Sequence, residues 1–154
     1  MNRILTSETL EKKGQKVKVA GWVNTRRDHG KLVFVDLRDR EGIVQVVFTP
    51  QNKEARDAVE AVRPEWVVEI EGLVQERPEN LKNSDIATGD IEIVAERLLV
   101  FSEAKTLPFS AQTTGYEIGE EKRLEWRYLD LRRQRLKKNL AARSRGTQFI
   151  REFL

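Results

Sequence analysis

The run Leu32-Val33-Phe34-Val35-Asp36-Leu37-Arg38, followed after a short polar break by Ile43-Val44-Gln45-Val46-Val47-Phe48, decides how this chain folds. Apolar residues recur at every second position, the period of half-buried β-strands. Val33, Val35 and Leu37 share one face of the first run, and Val44, Val46 and Phe48 share one face of the second. Working outward, Lys16 to Arg27 repeats the pattern with Val17, Val19 and Val23 on one side. Downstream, Trp66 to Gln75 aligns Trp66, Val68, Ile70 and Val74, and Gly89 to Phe101 aligns Ile91, Ile93 and Ala95. Between Asn52 and Arg63 the rhythm changes. Ala55, Ala58, Val59 and Val62 follow helical spacing, and Pro64 ends that segment.

Three strands, a helix and two more strands predict a mainly β protein built on a five-stranded OB-fold barrel, with the helix between strands three and four. That small Greek-key barrel binds oligonucleotides on one face and its loops. Gly21 and Gly72 fall inside predicted strands, where glycine marks sharp bends or close backbone approach. Residues 1–104 are read as this domain. Residues 105–119, with Pro108, Gly115, Gly119 and several polar residues, read as a linker or hinge. From Glu120 to Leu154 the chain reads as helical, with Leu129, Leu136, Leu140, Ile150 and Leu154 spaced for one face and Gly146 interrupting it. An apolar stripe running to the last residue predicts a partner beyond it, and the chain is expected to be cut before a further domain.

Composition narrows the chemistry. The chain has 154 residues, no cysteine and a single histidine, His29, so thiolate and histidine-built metal sites have no ligands to draw on. No apolar run reaches the length of a membrane span, and the first 15 residues lack the apolar block of a signal peptide. A soluble cytoplasmic protein with no membrane partner is expected. The net charge of +3 is unevenly placed. Residues 120–154 hold 11 Lys/Arg against 5 Asp/Glu, whereas residues 1–119 hold 17 against 20. A nucleic-acid site on the barrel must therefore be local.

Local features of that kind are present. Phe34 points away from the face of Val33, Val35 and Leu37, and an outward aromatic on a barrel strand offers a stacking surface for an unpaired base. The competing reading is a ring that fills a minor cluster under a loop. Arg26, Arg27, Lys31 and Arg38 surround the same strand and could form a positive patch. Gln45 and Glu92 stand between inward residues on their own strands. An amide can read a base edge with one donor and one acceptor; a carboxylate, acceptor only, suits the donor edge of guanine. Taken singly, each is more often a solvated strand residue. Together they place a ring, cations and base-edge readers on one face.

The residues also carry a resemblance. Ala20-Gly21-Trp22-Val23-Asn24 with Arg26-Arg27-Asp28, then Phe34 through Val46 with its Arg38-Asp39-Arg40-Glu41-Gly42-Ile43-Val44-Gln45 block, resembles the N-terminal anticodon-binding domain of bacterial aspartyl-tRNA synthetases (class II). Ala87-Thr88-Gly89-Asp90-Ile91-Glu92 and Arg127-Tyr128-Leu129-Asp130-Leu131-Arg132-Arg133 resemble later segments of that family, in the same order. The resemblance spans essentially the whole chain. It implies that Phe34 stacks on the middle anticodon base, a uridine, with Gln45 and Arg27 bonding nearby. It implies that Glu92 reads the first base, guanine or its modified form, and that Arg77 and Asn83 approach from the loop after strand four. His29, in the first turn, is implied in tolerance of the third base.

The implied partner is tRNA-Asp, with tRNA-Asn as a second acceptor if the choice is relaxed. Aspartate, ATP and Mg²⁺ would be handled by a downstream catalytic domain of a homodimeric aspartate–tRNA ligase; no cofactor and no catalytic residue are assigned to this chain. Lysyl- and asparaginyl-tRNA synthetases use the same barrel, and a stand-alone OB-fold binding single strands without sequence preference is the alternative of another class.

Overall fold

The computed structural model describes residues 2–154 and divides into two compact units, residues 1–106 and 107–154. In the first unit the strands are β1 (Arg3–Ile4), β2 (Lys16–His29), β3 (Leu32–Arg38), β4 (Ile43–Phe48), β5 (Val67–Glu76) and β6 (Ile91–Ser102), with helix α1 (Lys53–Ala58) between β4 and β5. β2 pairs antiparallel with β3, β3 with β4, and β5 with β6. β4 then pairs parallel with β6 at Val46↔Ile93 and Val47↔Val94. The ring closes because the long β2 also pairs with β5 along Lys16–Trp22. A barrel removes the open edges that a sheet of this size would otherwise present.

Alternation is what fills the interior. Val17, Val19, Val23, Val33, Val35, Leu37, Val44, Val46, Phe48, Val68, Ile70, Val74, Ile91, Ile93 and Ala95 are all buried in one core, joined by Ala55, Val59 and Val62 from the α1 region. Each period-two set read from the sequence points inward. The two strand glycines sit where backbones crowd. A Cβ on Gly21 would lie 2.2 Å from the Arg38 carbonyl oxygen, and one on Gly72 2.3 Å from that of Val94. Gly72 also falls where the β5–β6 register shifts.

Two elements differ from expectation. The helix is shorter than Asn52–Arg63: α1 stops at Ala58, and Val59 and Val62 are buried from the turn that follows it. The Asn52 side chain, which could have capped the helix, instead donates to the Ala95 carbonyl (2.9 Å), while Arg63 bonds the Glu60 and Val62 carbonyls. The second difference is β1, a sixth strand of two residues running parallel to β2. Two residues carry no periodicity, so the cause is long-range. Arg3 donates to the Ala20 carbonyl, and the Asp39 carboxylate accepts from the backbone and hydroxyl of Thr6, both at 2.7 Å, and from the backbones of Glu41 and Gly42. Burial alone would raise the Asp39 pKa, but these four hydrogen bonds outweigh it and hold the carboxyl below its ordinary value.

The second unit contains α2 (Glu120–Glu125), α3 (Arg127–Asp130) and α4 (Gln134–Phe153). The helical stretch is thus broken twice, and Gly146 does not interrupt α4. The break before α4 is made by charge. Asp130 and Arg133 are buried together, with Arg133 Nε donating to Asp130 at 2.7 Å. To reach that geometry Arg133 is extended (φ −61°, ψ 139°), and one of its two terminal nitrogens donates to the carbonyl and hydroxyl of Thr113. Its guanidinium also lies 5.2 Å from the Phe109 ring centroid. Residues 107–119 are therefore tied to the helices rather than extended, and Gly115, at φ 84°, leaves room that a Cβ 2.7 Å from Arg133 Nε would close. Leu129 is buried; Leu140, Ile150 and Leu154 are exposed. Among the described residues no helix is long and apolar enough to cross a membrane.

Candidate nucleic-acid interface

On the outer wall of the barrel, the alternation that buries the valines turns Arg27 of β2, Phe34 and Asp36 of β3, Gln45 of β4, Glu92 of β6 and Gln75 of β5 outward. Backbone register makes several of them direct neighbours: Arg27↔Phe34, Asp36↔Gln45 and Gln75↔Glu92. The side chains form one continuous hydrogen-bonded chain. Arg27 grips Asp36 with two nitrogens (2.9 and 3.0 Å) and donates to Gln45 Oε1 (3.3 Å). Gln45 Nε2 donates to Glu92 Oε2 (3.0 Å), and Gln75 Nε2 donates to Glu92 Oε1 (2.9 Å). Every strand of the closed ring contributes one member. The orientation of the Gln45 amide follows from chemistry: a guanidinium only donates and a carboxylate only accepts, so the oxygen must face Arg27 and the nitrogen Glu92.

Phe34 lies beside this chain, half-buried, with Arg27 and the buried Val47 as cross-strand neighbours. His29 meets it edge-on, with ring centroids 5.5 Å apart and planes at 82°. His29 is the last residue of β2, paired with Leu32, so the turn itself is only Gly30-Lys31, with Gly30 at φ 61°. A two-residue hairpin needs a positive φ there, and glycine supplies it.

The loop residues are placed differently from the strand residues. Arg77 is buried rather than displayed: its Nε donates to the Ile91 carbonyl at 2.8 Å, and one terminal nitrogen has no hydrogen-bond partner. Burial lowers the Arg77 pKa from its ordinary value, while Glu92 and Asp36 oppose that shift. Asn83 is exposed and works within its own loop. Its carboxamide oxygen accepts from the Asp85 backbone, and its backbone N–H donates to the Gly89 carbonyl. Gly89 is required there, because a Cβ would sit 1.6 Å from the Asn83 carbonyl oxygen.

The positive patch expected around Phe34 is mostly neutralised. Arg26 is paired with Asp28 and Glu60, Arg27 with Asp36, and Arg38 with Glu65. Among the described residues Lys31 alone of these four cations makes no ion pair. Two members of the chain, Asp36 and Gln75, were not singled out from the sequence. Parity placed both outward, but their partners depend on strand register, which the irregular β5–β6 pairing conceals.

Comparison with known proteins agrees with the fold. A family model described as an OB-fold nucleic acid binding domain of the tRNA anticodon type matches residues 17–101. The chain is 51% identical over 142 residues to the aspartate–tRNA(Asp/Asn) ligase of Halothermothrix orenii, and 46% identical over 142 residues to the aspartate–tRNA ligase of Staphylococcus carnosus. In both cases the match covers 92% of this chain and 24% of the relative, so the chain spans about a quarter of their length. A solved aspartyl-tRNA synthetase from Entamoeba histolytica shares the fold at 20% identity, with a TM-score of 0.80 over 93% of this chain and 35% of that one. Matched by the model over more than half its length, the chain belongs to the family of OB-fold nucleic-acid-binding domains of the tRNA anticodon type.

Proposed function

We propose that the Arg27–Gln45–Glu92 face reads a tRNA anticodon, as the recognition part of an aspartate–tRNA ligase acting on tRNA-Asp in the cytoplasm. The observation that supports this most is the side-chain chain spanning all strands of the barrel next to an outward aromatic. Phe34 stacks the middle anticodon base, while Arg27 and Gln45 hydrogen-bond around it. Glu92 takes the first base. Each of its oxygens already accepts one amide donor. A carboxylate oxygen has two lone-pair sites, so one acceptor position remains on each. Guanine, with N1–H and N2–H₂ side by side, can fill both without breaking the chain; adenine cannot.

Aspartate activation with ATP and Mg²⁺, and pairing of two subunits, are proposed for the long polypeptides this domain serves in. No step of that chemistry is assigned to residues of this chain. Among the described residues no three His, Cys, Asp or Glu side chains are grouped to hold a metal ion.

Anticodon stem-loops with guanine, uridine and cytosine in order, titrated against this chain, test the reading. Binding is expected to fall when the middle base is changed and when Phe34 is replaced by alanine. Equal affinity for an unstructured RNA of the same length would instead favour a strand binder without sequence preference. Relaxed use of tRNA-Asn is the finer proposal, supported by the position of His29 at the edge of Phe34 and by relatives named for both tRNAs. Charging assays with the full-length enzyme decide it, and absence of aspartylated tRNA-Asn would refute it.

A further inference from the structure

We propose that Gln75 is a specificity-determining residue of this site, orienting Glu92 through its amide nitrogen and offering its carbonyl oxygen as a third acceptor to the exocyclic amine of the guanine. This rests on the reading of Glu92 as the reader of the first base.

Gln75 and Glu92 are direct partners across the β5–β6 pair, so backbone register, not side-chain chance, brings them together. Glu92 accepts only, which obliges the amide nitrogen of Gln75 to face it. The carbonyl oxygen of Gln75 is thereby left for other partners on an exposed side chain, and among the described residues it accepts no hydrogen bond. With Gln45 on the other oxygen, the Glu92 carboxylate is held from both flanking strands and cannot swivel freely. The result is three acceptor oxygens on one cross-strand pair, two on Glu92 and one on Gln75. A guanine edge carries three hydrogens on two nitrogens, N1–H and N2–H₂. Two go to Glu92, and the second amine hydrogen has Gln75 Oε1 as its partner. Inosine keeps N1–H and lacks the amine, so it gives up one contact to Glu92 together with the one to Gln75, and the Gln75 variants separate the two.

The test compares guanine and inosine at the first anticodon position of otherwise identical stem-loops, using this chain and its Gln75→Leu, Gln75→Met and Glu92→Gln variants. Wild type is expected to favour guanine by about tenfold or more, the scale of hydrogen bonds to charged and fixed acceptors. Both Gln75 variants should shrink that preference about fivefold while keeping their sensitivity to the middle base. Two variants of different shape guard against one that misfolds, and melting curves identify such a case. If Gln75→Leu and Gln75→Met weaken both RNAs equally, the residue is only structural and the inference fails. If Glu92→Gln abolishes the preference and the Gln75 variants retain it, Glu92 still reads the base and only the role of Gln75 is lost. If Glu92→Gln leaves the preference unchanged, or wild type shows none, the reading of Glu92 falls and the inference with it.

Discussion

Two sectors of the same barrel wall carry charged residues in similar density and use them differently. Around the first half of β2, lysines and glutamates pair one to one or one to two: Lys13 with Glu76, Lys16 with Glu96, Lys18 with Glu69 and Glu71. Around the second half of β2, charges are linked through carboxamides, from Asp36 through Arg27, Gln45 and Glu92 to Gln75. The first arrangement is closed, since each of these lysines is answered by a carboxylate. The second keeps acceptor sites in reserve and stands beside an aromatic ring. Charge counting cannot separate these sectors. The amides and the ring do.

The largest effect that would sharpen this contrast is Phe34→Ala. Loss of a base-stacking ring is expected to cost ~1–3 kcal/mol in stem-loop affinity. Titration by fluorescence anisotropy measures it, and an unchanged affinity would erase the distinction between the sectors. Next is Arg27→Gln, which removes the link between Asp36 and Gln45. Affinity should drop about tenfold, with a shallower dependence on salt because one cation is gone.

A smaller effect belongs to the other sector. The Lys18 hydrogen bond lowers the Glu71 carboxyl below its ordinary 4.5, and the Lys13 hydrogen bond does the same for Glu76. Groups lowered on folding add stability that is fully present above their unfolded values and is lost as pH falls through the folded ones. A Glu71→Gln/Glu76→Gln double variant should therefore melt with a flatter pH dependence below about 4.5, while binding RNA at neutral pH like the parent. The smallest expectation is Lys18→Ala, which should leave stem-loop affinity within error. A clear loss would mean that the RNA tracks the lysine sector and that the two walls are not functionally distinct.

The barrel was readable because its strands alternate strictly. Val33-Phe34-Val35 can bury its valines in only one register, and a slip of one residue would expose them. The same parity put Phe34, Gln45 and Glu92 outside. Parity says nothing about who meets whom, however. Gln75 was hidden because the β5–β6 register shifts at Gly72, and the N-terminal strand because what holds it, pairing with β2 and the Arg3 bond to Ala20, is not local. The helical tail was legible as helix, but its breaks were hidden for another reason. The break before α4 follows from a buried ion pair at Asp130 and Arg133, and hydrophobic spacing does not register a charge placed inside. Arg77 illustrates the same blindness: from sequence it is a surface loop cation, in the fold it is enclosed.

The parallel seam between β4 and β6 is the barrel's shortest joint, two residues on each side. A joint that short carries few of the ring's backbone hydrogen bonds, and the amide protons that bridge it should exchange with solvent sooner than those of the longer β2–β5 and β5–β6 pairings. Gln45 and Glu92 straddle that joint. Any guest clasped by both is a rivet across it, and docking then tightens the scaffold as well as filling the face: bound protein should exchange more slowly there and unfold at a higher temperature.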